Sequence, residues 1–78
     1  MSKEIDCYST SLNMRRMMQE RHITPKQVKK ELGLESVQAV YKWMSTTNSA
    51  LPSIDNLLRL SSMMNCTIED ILITYETD

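Results

Sequence analysis

The sequence predicts an all-α fold of five helices in one small domain. Apolar residues recur at the three- and four-residue spacing of an amphipathic helix along much of the chain. Residues that cap helices, such as Thr24 and Ser53, stand directly before these apolar runs. The 78 residues include no Phe and four aromatic residues in all, a composition that disfavours sheets.

The first helix is predicted over 11–21. Its apolar positions are Leu12, Met14, Met17 and Met18, and they are separated by polar residues such as Arg15 and Gln19. The methionines on this helix and elsewhere are interpreted as adaptable core filling.

The second helix is predicted over 25–32. Thr24 is suited to accept a hydrogen bond from an unpaired first-turn amide, and Pro25 lacks only a donor that the first turn does not use. Gly33 ends the helix, because glycine takes the left-handed cap conformation without strain.

The third helix is predicted over 36–44, with Ser36 as its N-cap. The spacing of Val40 and Trp43 places both side chains inward. Three residues, 33–35, then separate the second and third helices.

The fourth helix follows a polar loop over 45–53 and begins after its cap, Ser53. Its predicted apolar face consists of Ile54, Leu57, Leu58 and Met64, with Leu60 beside it. Asn65 ends this helix.

The fifth helix is predicted near 68–73, where Thr67 and Asp70 have the spacing of a capping box. The segments 5–8 and 73–75 are ambiguous: they either pair as a small ribbon or form frayed coil. The predicted organisation is an N-terminal tail over 1–10, a folded domain over 11–73 and a C-terminal tail over 74–78.

Composition excludes several classes of protein. No apolar run approaches the roughly 18 residues of a membrane helix, and the charged N-terminus does not resemble a signal peptide, so a cytoplasmic protein is expected. Cys7 and Cys66 match no metal-ligand spacing and are interpreted as buried free thiols, although a single bridge between them stays open.

Catalytic and ligand-binding patterns are missing as well. One glycine cannot form a glycine-rich phosphate loop, and the lone His22 belongs to no metal-binding motif. The sequence therefore predicts no enzyme, no metal, no cofactor and no small-molecule ligand.

Charge is distributed unevenly along the chain, although the net charge is only -1. Residues 13–50 hold seven basic and three acidic residues, a balance of +4, whereas residues 51–78 hold one basic and five acidic residues, a balance of -4. This asymmetry either marks one end of the domain as an anion-binding surface or is ordinary solvated surface.

Residues 24–44 form a capped helix, a short turn that begins with glycine and a second short helix. This arrangement is typical of a helix-turn-helix, whose second helix can enter the roughly 12 Å wide major groove of DNA. Helix pairs of this kind are also common in helical proteins that do not bind DNA.

The stretch TPKQVKKELGLESVQAVYKWM, followed by LPSIDNLLRLSSMMNCTIEDILI, resembles the Cro and phage-repressor class (XRE family) of helix-turn-helix transcriptional regulators. The resemblance covers about 12–73. It implies a compact, five-helix, lambda-repressor-like DNA-binding domain, with the third helix as the recognition helix and a role in transcriptional regulation.

The chain departs from this class at several positions. Lys29 replaces the usual small residue after Val28, and the turn has one additional residue. Pro25 and Met18 stand where many members carry a phosphate-contacting glutamine and an arginine.

Eight residues are candidate DNA contacts. Gln38, Tyr41 and Lys42 are predicted on the outward face of the third helix, with Ser36 at its start, where a phosphate can bind. The weaker phosphate candidates are Lys26, Arg15, Thr46 and Thr47. For each, the alternative is a solvated or core-covering side chain.

The expected function is sequence-specific binding of duplex DNA and transcriptional regulation by a homodimer that occupies two half-sites. The dimer contact is expected from the fifth helix, the tails or the apolar edge of the fourth helix, and the sequence does not choose among them. The alternative is an adaptor or antitoxin-like module that keeps the fold and binds a protein. The net charge and the missing phosphate contacts favour this alternative.

Overall fold

The computed structural model describes residues 2–48 and 50–78. Within these ranges the chain forms five helices and two short strands. In chain order the elements are β1 (Ser2–Ile5), α1 (Cys7–Glu20), α2 (Pro25–Leu32), α3 (Gln38–Trp43), α4 (Ile54–Met63), α5 (Ile68–Ile71) and β2 (Thr74–Thr77). The predicted five-helix fold is confirmed, and a terminal two-stranded ribbon is added to it.

All five helices, with the residue that follows α4, contribute side chains to one hydrophobic core. Its members are Met14, Met17, Met18, Val28, Leu32, Val40, Trp43, Leu57, Leu60, Met64 and Ile71. Four of them are methionines, so the interpretation as core filling is confirmed for Met14, Met17, Met18 and Met64. Unbranched methionine side chains can fit the irregular gaps between short helices that cross at different angles.

Helix α1 begins at Cys7 and not at 11 as predicted. The Asp6 carboxylate caps it by accepting a hydrogen bond from the Ser9 amide at 2.9 Å. The additional turn has no apolar stripe because the buried position at Thr10 is polar. The Thr10 hydroxyl is satisfied by the backbone of Ile73, whose N–H donates to it at 3.0 Å.

Helix α2 has the predicted bounds and caps. Thr24 Oγ1 accepts from the Gln27 amide at 3.2 Å, and Gln27 Oε1 accepts from the Thr24 amide at 2.7 Å, which completes a capping box. Gly33 follows in the left-handed conformation with φ of 67°. A Cβ built at Gly33 would meet no atom within 4 Å, so backbone conformation alone accounts for glycine there.

Helix α3 is shorter than the predicted 36–44. It begins at Gln38 after Val37, and no side chain caps it, so the prediction that Ser36 is its N-cap is wrong. The Val37 carbonyl accepts from the amides of Val40 and Tyr41 and so starts the helix. Five residues, 33–37, connect α2 and α3 instead of the three predicted.

Helix α4 is capped by Ser53 as predicted, but its predicted apolar face is partly wrong. Leu57 and Leu60 are buried, whereas Ile54 is 80% exposed and Leu58 is 58% exposed. Leu58 follows Leu57 directly, so it lies about 100° further around the helix and outside the core. Ser61 occupies the buried position one turn after Leu57, where sequence alone gave no apolar signal.

Helix α5 is a single turn that ends at Ile71, two residues before the predicted end. Its capping box is confirmed: the Thr67 hydroxyl accepts from the Asp70 amide at 3.1 Å, and the Asp70 carboxylate accepts from the Thr67 amide at 2.9 Å. Leu72 is already extended, with ψ of 130°, and leads the chain into β2.

Protonation of Asp70 is expected to loosen α5 in acid. Its hydrogen bonds from Thr67, the backbone one above all, hold the pKa of the Asp70 carboxyl below its ordinary value of 3.8. A carboxyl with a lowered pKa stabilises the fold above its unfolded pKa, and this stabilisation is lost as pH falls through the folded value. Melting temperatures between about pH 5 and about pH 2 should therefore fall less for Asp70→Asn, which keeps an acceptor oxygen but does not titrate. An equal fall would contradict this role.

The terminal segments form a ribbon, which resolves the ambiguity between pairing and frayed coil. Strands β1 and β2 are antiparallel, with Ser2 opposite Thr77 and Ile5 opposite Thr74. The strands lie nearer the two ends of the chain than the segments 5–8 and 73–75, because Cys7 and Tyr8 belong to α1. An additional hydrogen bond from the Asp6 amide to the Ile73 carbonyl, at 2.8 Å, ties the ribbon to the helical body.

Both cysteines are free. The prediction that they are buried is wrong for Cys7, which is exposed at the start of α1, whereas Cys66 is half-buried after α4. Burial raises the pKa of the Cys66 thiol above its ordinary value. Among the described residues, no helix has both the length and the apolar character needed to cross a membrane.

Candidate nucleic-acid interface

Helix α3 has one buried face and one exposed face. Val40 is fully buried and Trp43 is 6% exposed, so both side chains anchor the helix in the core as predicted. Gln38, Tyr41 and Lys42 are exposed to solvent. The exposed face therefore carries an amide, a phenol and an ammonium group on a helix that core packing holds in place.

The connection from α2 fixes where α3 begins. Gly33 is left-handed, and the next amide, that of Leu34, donates to the Lys29 carbonyl at 3.0 Å. This hydrogen bond closes the end of α2 and turns the chain away from its axis. Both ends of α2 are thus fixed by local hydrogen bonds, and the start of α3 lies only five residues beyond it.

The loop after α3 folds back on the end of that helix. Ser45 Oγ accepts from the amides of Thr47 at 3.3 Å and Asn48 at 3.2 Å. The Ala50 amide donates to the Lys42 carbonyl at 3.3 Å. These contacts keep Thr47, which is exposed, next to α3, whereas Thr46 is half-buried.

Arg15 connects α1 to the same end of α3. Its Nη2 donates to the Met44 carbonyl at 3.1 Å. The positive guanidinium therefore sits at the C-terminal end of α3, where the helix dipole is negative. One N–H is used by this contact, and the side chain is exposed, so its other donors face solvent.

The remaining two predicted residues lie before α3. Lys26 is exposed on the first turn of α2, and Ser36 is exposed in the connection between α2 and α3. The described contacts include no hydrogen bond from either side chain to α3. The structure thus groups Arg15, Lys42 and Thr47 at one end of α3, and it does not bring Lys26 into that group.

The basic excess of residues 13–50 is not all available on the surface. Arg16 forms an ion pair with Glu20 on α1 and donates to Asn13 Oδ1 at 2.6 Å. This pair is exposed, so solvent screens it and it adds little stability. Its main effect is to compensate the charge of Arg16, whereas Arg15, Lys26 and Lys42 form no ion pair with the described residues.

Two features of this surface were not predicted from sequence. One is the contact of Arg15 with Met44, which joins residues far apart in the chain and leaves no local signal. The other is Asn48, which is exposed beside Thr47. The serine at 45, followed by polar residues two and three positions later, is typical of a hydroxyl-capped turn and could have indicated Asn48.

The surface carries hydrogen-bond donors and acceptors of the kinds that contact nucleic acids. Lysine and arginine donate to phosphate oxygens or guanine, and glutamine pairs with adenine through two hydrogen bonds. Among the described residues, no group of three His, Cys, Asp or Glu side chains could hold a metal ion.

A family model described as the Cro/C1-type HTH DNA-binding domain matches residues 13–77. The match includes every helix except the first turns of α1, and it extends through β2. No curated protein and no solved structure matches the chain.

Proposed function

Because the chain belongs to the Cro/C1-type HTH DNA-binding domain family, we propose that it binds specific duplex DNA sequences through α3 and regulates transcription. One observation carries the recognition role of α3: Val40 and Trp43 anchor one face, while Gln38, Tyr41 and Lys42 are exposed. A helix held in this way can enter the major groove without losing its own packing.

The outward residues of α3 have different proposed roles. Gln38, in the first turn, reads adenine through its side-chain amide. Lys42, one turn later, donates to guanine or to a phosphate. Tyr41 lies between them and is 52% exposed, so its ring is available for contact with a base or sugar.

The phosphate contacts are proposed on both sides of α3. On the C-terminal side they are Arg15, Thr46 and Thr47, which the loop and the bond to Met44 hold near the helix end. On the N-terminal side they are Ser36 and Lys26. Such contacts position the protein on the duplex and carry no sequence information themselves.

The proposed active form is a homodimer. Proteins of the helix-turn-helix type bind two half-sites roughly 34 to 36 Å apart, one helical turn of DNA. One copy of this chain measures 40 × 26 × 22 Å, so it covers about one half-site. Two copies related by a two-fold axis would place two α3 helices in successive major grooves.

Replacement of Lys26 by alanine should weaken DNA binding equally for all duplex sequences. Each phosphate contact contributes about 0.9 to the slope of log affinity against log salt, so the slope should fall by about that amount. Fluorescence anisotropy with a labelled duplex at several salt concentrations measures both quantities. Lys3→Ala is the matched control, because Lys3 is an exposed lysine on the ribbon.

Two results would contradict the proposal. A wild-type slope near zero would remove the electrostatic basis of DNA binding and would favour the adaptor alternative. Equal effects of Lys26→Ala and Lys3→Ala would show that DNA binds to positive charge anywhere on the protein and not to the surface around α3.

A further inference from the structure

Within residues 2–48 and 50–78, strand β2 pairs with β1 along one edge, and no strand pairs with its other, open edge. In an antiparallel pair, residues whose backbone groups face the partner strand alternate with residues whose groups face away. The bond from the Asp6 amide to the Ile73 carbonyl sets this alternation, so Tyr75 and Thr77 face β1. The N–H and C=O groups of Thr74 and Glu76 therefore point outward along the open edge.

This ribbon is a small sheet with little support of its own. Two-stranded sheets are marginally stable in water, and open edges are sites where another strand can pair. On the same face as Tyr75, which is 48% exposed, lies Ile73 at 38%. One copy of the chain therefore leaves two large apolar side chains partly exposed on one face of this ribbon.

We propose that a second copy of this chain pairs with the open edge of β2, so that two ribbons form one four-stranded antiparallel sheet around a two-fold axis at Tyr75. This inference rests on the homodimer of the proposed function and specifies its interface. An isologous contact of this kind closes on itself and gives a dimer.

The backbone groups fit this register. Thr74 lies opposite the partner's Glu76, and their outward N–H and C=O groups form two hydrogen bonds; the two-fold axis repeats them, which gives four. Tyr75 lies opposite the partner's Tyr75 at a position without ladder bonds, where side chains approach most closely. Ile73 lies opposite the partner's Thr77, so no two like charges lie directly opposite each other.

Charge and packing disfavour the neighbouring symmetric registers. A two-fold axis at Glu76 would set two Glu76 carboxylates opposite each other. A two-fold axis at Thr74 would require Leu72 to pair with the partner strand, but Leu72 packs against the core. Pairing β1 with itself around Lys3 or Glu4 also sets like charges opposite each other, which is destabilising. Pairing β1 with the partner's β2 would leave edges open and build a filament.

A proline at 76 tests the edge directly. Proline is tolerated on an edge strand where its missing N–H faces solvent, so Glu76→Pro should keep the ribbon and remove only an outward donor. Glu76→Gln is the matched control, since it loses the same charge and keeps the N–H. Sedimentation across a concentration series should give a dimer dissociation constant at least about tenfold weaker for Glu76→Pro than for Glu76→Gln.

The outcomes separate the interface from the dimer itself. A wild-type dimer that Glu76→Pro leaves unchanged would overturn the proposed interface only. A wild-type chain that stays monomeric at every concentration would overturn both the interface and the proposed homodimer, whereas DNA binding is tested separately by Lys26→Ala.

Disulfide trapping gives a readout that does not depend on weakening the dimer. In a chain carrying Cys7→Ser and Cys66→Ser, Tyr75→Cys places two thiols opposite each other, close enough to form an intermolecular disulfide under mild oxidation. Glu76→Cys should cross-link far less, because it lies opposite the partner's Thr74. Equal cross-linking of both variants would overturn the register.

Discussion

Trp43→Ala is expected to cost about 3 to 5 kcal/mol of folding free energy and to leave much of the protein unfolded. Trp43 is 6% exposed and packs in the core behind α3. Truncation to alanine removes the largest apolar side chain in that core and leaves a cavity. The total stability of a domain this small lies near the lower end of the range of about 5 to 15 kcal/mol, so one such loss is decisive.

Thermal and urea melts followed by circular dichroism measure this effect. Tyr41→Ala is the matched control, because it removes an aromatic ring from the same helix at a position that is 52% exposed. Its cost should stay within about 0.5 kcal/mol, as for other surface substitutions. If Tyr41→Ala melts the fold and Trp43→Ala does not, the assignment of buried and exposed faces on α3 is wrong.

Gln38→Ala should have effects opposite to those of Trp43→Ala: almost no loss of stability and a loss of base discrimination. Gln38 is exposed at the start of α3 and caps nothing, so the melting temperature should hardly change. Loss of a two-hydrogen-bond contact with a base should cost about 1 to 3 kcal/mol of discrimination at one base pair. A panel of duplexes, each changed at one position, measures that discrimination.

Gln19→Ala serves as the control for this experiment, because Gln19 is an exposed glutamine on α1. It should alter neither stability nor base preference. A uniform loss of affinity for every duplex in the panel on Gln38→Ala would mean that Gln38 contacts the backbone of DNA and does not read a base.

The parts of the fold that local chemistry determines were predictable from sequence. Helix α2 is the clearest case: its start depends on Thr24 and Pro25 and its end on Gly33, all of which act within a few residues. The inward positions of Val40 and Trp43 followed from helical spacing alone. The capping box of Thr67 and Asp70 followed in the same way.

The sequence predictions are wrong where contacts between distant parts of the chain decide which residues form a helix or face the core. The first turn of α1 was missed because its buried residue, Thr10, is polar and obtains its partner from Ile73, 63 residues away. Two apolar residues of α4, Ile54 and Leu58, were placed inward because a sequence cannot show which of several adjacent apolar residues meets the core. Ser36 has the chemistry of a cap, yet the first hydrogen bonds of the helix go to the Val37 carbonyl, so the helix begins at Gln38.

The candidate interface shows the same division. The outward face of α3 could be derived from periodicity, whereas the link between Arg15 and Met44 joins two elements and could not. The roles of the eight predicted contact residues stay predictions, which binding measurements with duplex DNA test.

The most direct test of the central claim is an NMR titration of the 78-residue chain with duplex DNA at low salt. The largest amide shift changes should cluster at Ser36, Gln38, Tyr41 and Lys42 and in the loop at Thr46 and Thr47. They should be small at Gln19, which is exposed on α1. Changes confined to another surface, or no changes at all, would contradict the claim that α3 and its flanking loop bind DNA.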